Sequence, residues 1–256
     1  MKDVSISVSV APTPPVFPAA AVTRWLGVLM LDTRFPRQPG DVGHPGTWRE
    51  GTEFHVVGGV GPQHAVQAAA EFEVQRVLPA FEAAARALAA RGTAAITTSC
   101  GFLVLLQREL QQAVPVPVVT SSLLLLPSLL EAEEEVGVLT ISAQRLGDEH
   151  LRSAGVPSHR LGHVRVQGVA PESEFAQAIL RNRSAMDFEQ AARDVVSAAL
   201  ALQERAPGLR TLVLECTNLP PYAAQIRAAT GWRVLDLRDC PELAPYSGSF
   251  QSTSSS

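Results

Sequence analysis

Two cysteines occupy matching places in two parts of the chain, Cys100 in Ile96-Thr-Thr-Ser-Cys-Gly-Phe and Cys216 in Leu212-Val-Leu-Glu-Cys-Thr-Asn. Each follows a short apolar run that reads as a buried parallel strand, and each precedes a helix-like segment, so both thiols are expected at strand C-termini beside a helix N-terminus. A helix dipole and its free amides favour a thiolate over the unperturbed thiol pKa of about 8.5. One thiolate and one thiol facing a substrate carbon from opposite sides could take a proton from one face and deliver another to the other. The third cysteine, Cys240 in Arg-Asp-Cys-Pro, has no counterpart and reads as a small buried residue.

The pattern that must position these thiols alternates β with α. Apolar runs at Trp25–Leu31, Phe54–Val57, Ala94–Thr97, Pro117–Thr120, Val136–Ile141, Leu161–Val166, Thr211–Leu214 and Trp232–Leu237 read as strands, and the windows 63–91, 101–113, 121–133, 142–154, 172–205 and 219–230 carry helical periodicity. This predicts an α/β fold with parallel sheets covered by helices. Gly27-Val28-Leu29 recurs as Gly137-Val138-Leu139, and each copy is followed by a cysteine after a later strand, Cys100 and Cys216 respectively. The expectation is a duplicated unit, two pseudo-symmetric domains with the active site in the cleft between them. The first domain is expected to span 23–119 plus 227–246, so that the last strand returns to it, and the second 120–226. Residues 1–22 and 247–256 read as a disordered extension and a disordered tail.

Composition narrows the function classes. A net charge of -4 gives no electrostatic case for nucleic acid or an anionic membrane surface, and the Leu123–Leu126 run falls far short of the roughly 20 residues of a bilayer span. A cytoplasmic protein with free thiols is expected, since three cysteines cannot all pair and no Cys-x-x-Cys spacing occurs. Lys2 is the only lysine, which removes pyridoxal-phosphate racemases and Schiff-base aldolases; no cofactor and no metal are expected. The stretch from Thr33 to Glu53 holds Pro36, Pro39, Pro45 and four glycines without periodicity, and a loop of that length reads as a lid or binding loop or as a disordered insertion.

The strand-Cys and strand-Cys-Thr layout, the Leu26-Gly-Val-Leu strand ending at Asp32-Thr33, and the Gly-Val-Leu-Thr segment of the second unit together resemble the aspartate/glutamate racemase superfamily over roughly residues 24–240. That superfamily includes hydantoin racemases, maleate isomerases and arylmalonate decarboxylases. The strings Leu-Asp-Thr-Arg-Phe-Pro and Glu-Cys-Thr-Asn-Leu-Pro-Pro-Tyr set this chain on a branch of its own. The resemblance implies a cofactor-independent racemase or epimerase that inverts the α-carbon of an amino acid or a derivative, with Cys100 and Cys216 as the acid/base pair. It places Asp32 and Thr33 at the first strand end on the substrate, Thr217 on a carboxylate, and Thr140 and Ser142 in a hydroxyl-bearing loop of the second unit. It also implies a homodimer acting on a small carboxylate.

Two departures bear on the substrate. Where amino-acid racemases of this group carry Asn after the first cysteine, this chain has Gly101 followed by Phe102, and after Cys-Thr it has Asn218 in place of His or Glu. An amide cannot exchange a proton near neutral pH. Amides after each cysteine, with Ser99, Thr217 and Asn218, could stabilise a developing oxyanion. The alternatives are a maleate cis–trans isomerase, an arylmalonate decarboxylase-like enzyme, or a non-catalytic two-lobed binder of small anions.

Overall fold

The computed structural model describes residues 25–248. The extension expected at 1–22 and residues 249–256 of the expected tail lie outside the described residues. Eight strands form two parallel four-stranded sheets. The first has the order β2-β1-β3-β4, from β1 (Leu26–Leu31), β2 (Glu53–Val57), β3 (Ala95–Thr98) and β4 (Val118–Val119). The second repeats it as β6-β5-β7-β8, from β5 (Val136–Thr140), β6 (Val164–Gly168), β7 (Thr211–Leu214) and β8 (Arg233–Leu235). The repeat is also one of register: Val28 and Leu29 face Thr97 and Thr98, as Val138 and Leu139 face Val213 and Leu214. The repeated glycines have a packing role, because a Cβ on Gly27 would strike Leu88 and Thr93, and one on Gly137 would press on Leu212 and Leu202.

The helices are α1 (Pro62–Ala65), α2 (Val74–Ala90), α3 (Gln107–Ala113), α4 (Leu126–Ala132), α5 (Asp148–Ser153), α6 (Glu174–Leu180), α7 (Phe188–Arg205) and α8 (Ala223–Thr230). They are shorter than the periodic windows. The 172–205 window breaks where Asn182 adopts a left-handed φ of 50°, a conformation Asn tolerates better than most residues. The chain restarts at Asp187, whose carboxylate caps α7 by accepting from the Glu189 and Gln190 amides. Several windows open as 3-10 turns, Gly101–Leu106 before α3, Ser122–Leu125 before α4 and Pro220–Tyr222 before α8.

The predicted domain boundary needs correction at its C-terminal end. β8 does not return to the first sheet; it pairs with β7 in parallel, Val213 opposite Leu235. What returns is the segment beyond it, since Leu237, Cys240 and Leu243 pack with Leu26, Val28 and Met30 of β1. A single buried cluster runs through both lobes, from Leu29 and Phe102 to Leu139 and Leu214. The 33–53 segment is an ordered wrap, not a disordered insertion: Asp41, Val42, Thr47 and Trp48 are buried, and the Trp48 indole donates to the Val42 carbonyl at 2.8 Å. Among the described residues no helix is long and apolar enough to cross a membrane.

Candidate active site

The repeat brings two equivalent strand ends to one place. The Ser99 amide donates to the Leu29 carbonyl (3.0 Å), and at the matching position of the second lobe the Glu215 amide donates to the Leu139 carbonyl (2.9 Å). Ser99-Cys100-Gly101 and Glu215-Cys216-Thr217 are therefore the same structural triplet in the two lobes. One buried hydroxyl ties the triplets together, Thr217 donating to the Ser99 carbonyl at 2.6 Å, and a second, Ser122, donates to the Leu214 carbonyl at 2.7 Å. Between the triplets lies a narrow cavity, lined by Ser99, Cys100, Gly101 and Phe102 on one side and Glu215, Cys216, Thr217 and Asn218 on the other. Leu31, Phe35, Pro62, Val66, Ile141 and Ile179 make its apolar walls.

Both thiols face this cavity and are nearly enclosed, 7% and 6% exposed. The expected lowering of their pKa values is reversed. Burial pushes Cys100 up to about 12, with the charge of Glu215 adding to it; the Phe102 and Leu103 amides and the Arg37 charge oppose the rise without cancelling it. Cys216 is raised well above the ordinary thiol range, first by burial, then by Glu215, with a charge on Cys100 pushing the same way. Cys100 does precede a helical segment, but Cys216 opens only a turn, closed by the Leu219 amide on the Cys216 carbonyl at 3.0 Å. Both thiols are thus neutral in the free protein at pH 7.

Glu215 is the functional candidate that sequence reasoning missed. It is fully buried, and burial raises its carboxyl to about 8 against the lowering effect of the Thr140 hydroxyl, which donates to Oε2 at 2.6 Å. Its Oε1 has no hydrogen-bond partner among the described residues. The position after the first cysteine is glycine for the same reason, since a Cβ on Gly101 would overlap the Glu215 carbonyl and Oε1. The available signal was an acidic residue closing the apolar run Leu212-Val-Leu, where the first repeat has Ser99.

The remaining predicted residues divide. Ser99, Gly101, Phe102, Thr217 and Asn218 line the cavity with the two cysteines. Thr140 stands behind it and acts on Glu215. Asp32 is exposed, with its carboxylate accepting from the Gly59 amide at 3.3 Å, and Ser142 lies on a separate surface groove of the second lobe; neither reaches the cavity. Thr33 accepts from Arg37 at 3.0 Å and so belongs to a chain of contacts leading inward. Arg37 pairs with Asp41 at 2.6 Å, the Asn218 amide donates to Asp41 at 2.7 Å, and the Cys216 thiol donates to Asn218 Oδ1 at 3.5 Å. The proline-rich wrap supplies Phe35 to the cavity wall and Asp41 to this chain of contacts. Behind Phe102 the His150 ring meets it edge-on at 5.0 Å, and burial lowers that imidazole to about 4, so it stays neutral.

No family model matches the chain. It is 30% identical over 218 residues to a dimethylsulfoniopropionate lyase of Durusdinium sp. clade D, an alignment spanning 82% of this chain and 70% of that protein. The chain belongs to the dimethylsulfoniopropionate lyase family. Dimethylsulfoniopropionate lyase 5 of Emiliania huxleyi (strain CCMP1516) is 32% identical over 217 residues, covering 82% of this chain but only 43% of its own length. The relatives found by sequence are thus lyases, not amino-acid racemases. In fold, this lyase-family chain is similar to allantoin racemase from Klebsiella pneumoniae, with a TM-score of 0.54 at 15% identity over 84% of this chain and 83% of that one. A glycine-to-cysteine mutant of arylmalonate decarboxylase gives 0.51 at 16% identity over 82% and 87%. The fold is that of the Asp/Glu/hydantoin racemase superfamily.

Proposed function

We propose that this chain is a lyase that removes an α-proton from dimethylsulfoniopropionate and expels the β-thioether. The observation that carries the reading is the shared cavity: two thiols from equivalent strand ends, the proton-transfer groups, beside one buried carboxyl. Family membership supports the choice of substrate class. The amides of Gly101 and Thr217, each following a cysteine, donate to no acceptor among the described residues and are free to hold the substrate carboxylate. Held there, the carboxylate carries the charge that develops when the α-proton leaves, the role of an oxyanion hole. A cysteine thiolate takes the proton, the Cα–H electron pair forms the Cα=Cβ bond, and the C–S pair leaves with sulfur. The products are acrylate and dimethyl sulfide, with the proton on the thiol.

The raised thiol pKa values fit a cationic substrate. An uncharged cavity suppresses ionisation of the cysteines, and a sulfonium brought into it lowers the cost of a nearby thiolate. Racemisation uses both faces of the carbon and hence both thiols; elimination needs one base. Incubation with dimethylsulfoniopropionate in heavy water tests the reading. Dimethyl sulfide and acrylate should appear in equal amounts, whereas α-deuterated or inverted substrate without dimethyl sulfide would favour the racemase alternative.

A further inference from the structure

Glu215 is a costly feature that the proton-transfer scheme leaves unused. Its carboxyl is fully buried, one oxygen is held by Thr140, and the other is orphaned at the wall of the cavity. An unpaired buried polar atom costs free energy, and an unpaired buried charge costs more. Of the side chains lining the cavity, only Glu215 is an acid, and none is a lysine or arginine. Phe102 stands in the same wall, an aromatic surface that also suits a weakly hydrated cation, while the Phe35 ring already carries the Arg37 guanidinium 4.5 Å from its centroid. The absence of a side chain at Gly101 leaves the space that Oε1 occupies.

We propose that Glu215 is the group that recognises the positive charge of the substrate, its free Oε1 pairing with an onium group β to the carboxylate while the Gly101 and Thr217 amides hold the carboxylate itself. This rests on reading the cavity as the substrate site of a β-sulfonio carboxylate lyase. It makes the site selective for zwitterions: a neutral β-substituent leaves Oε1 unpaired, and a dicarboxylate brings a second negative charge toward it. The groups facing Glu215 are Thr140 from β5, Cys100 from the end of β3 and Cys216 beside it, with the Arg37–Asp41 pair further out. Glu215, raised to about 8, still ionises well below both buried thiols, so it is the first of the three to give up a proton when an onium group binds.

Calorimetry with two unreactive ligands tests this on the intact protein: trimethylammonio-propionate, and its isostere with a quaternary carbon in place of nitrogen. The wild type should prefer the cation by roughly tenfold or more and, in buffers of different ionisation enthalpy at pH 7, release most of a proton with it and none with the isostere. Glu215→Gln, which keeps an oxygen for Thr140, should lose both the preference and the release. A wild type that binds the cation without proton release, prefers neither ligand or binds neither, or a Glu215→Gln protein that keeps the full preference, would overturn the assignment. The wild-type release needs no variant, so poor folding of Glu215→Gln leaves the test intact. The two proposals separate cleanly. Cation preference without dimethyl sulfide formation sinks the lyase reading alone, and dimethyl sulfide formation without Glu215-dependent preference sinks this one alone.

Discussion

At the scale of the residue, the site is a repeat that has been broken at one position. Ser99 and Glu215 are structural equivalents, yet one is a small hydroxyl that accepts from the Leu31 amide and the other a buried acid. Gly101 leaves room for both the carbonyl and the carboxyl of that residue, and the constraint can be measured. Gly101→Ala should destabilise the protein by about 2 kcal/mol or more through overpacking, in the wild type and in a Glu215→Ala background alike, because the clash with the residue 215 carbonyl remains when the carboxyl is gone, an outcome readable from denaturant unfolding of the four proteins. The raised carboxyl also fixes a pH dependence. Because the folded pKa of Glu215, about 8, lies above the ordinary value of 4.5, its neutral form favours folding fully below about pH 4.5, and that contribution is lost as pH rises through 8. Stability should therefore fall across that window, by up to about 1.4 kcal/mol per pH unit from this group. Glu215→Gln should flatten the decline in thermal unfolding between pH 5 and 8; an unchanged slope would show that Glu215 is not held neutral.

At the scale of the element, the strands were the most legible part of the chain, because each buried parallel strand is a short apolar run bounded by turn residues. All eight appear, although the run expected at Leu161–Val166 begins as a 3-10 turn and becomes β6 only at Val164. Helix ends were less legible. Periodicity continued across the break between Leu180 and Phe188, where Asn182 takes a left-handed φ and seven residues separate the two helices. The two cysteines were found because their strand-end setting repeats. Glu215 was missed because its partner, Thr140, lies on another strand, and Asp32 was overcalled because a strand-end position alone does not settle whether a side chain turns inward. The wrap between β1 and β2 holds a prediction of its own. Arg37 and Asp41 are a nearly buried ion pair, and Arg37→Met would strand the Asp41 charge beside Asn218. We expect a loss of roughly 3 kcal/mol in chemical denaturation, together with a lower kcat because Asn218 no longer holds the Cys216 thiol in place.

At the scale of the molecule, two lobes share one interior. The hydrophobic cluster passes from the first sheet to the second without a break, and buried hydrogen bonds from Ser122 and Thr217 cross the cleft. Calorimetry should therefore show one cooperative unfolding transition, and separate transitions for the lobes would contradict a common core. The last strand illustrates what sequence order could not show. A duplicated unit predicts four strands per sheet, but which sheet takes β8 depends on pairing beside β7, and the apolar residues Leu237, Cys240 and Leu243 beyond it suited either lobe.

The central claim, that thiols in this shared cavity take a proton from a substrate α-carbon, is tested most directly with dimethylsulfoniopropionate deuterated at that carbon. Dimethyl sulfide release should show a normal primary isotope effect on kcat/KM in the wild type, and of Cys100→Ala and Cys216→Ala at least one should abolish release. Release without an isotope effect, or at the wild-type rate in both cysteine variants, would contradict the account.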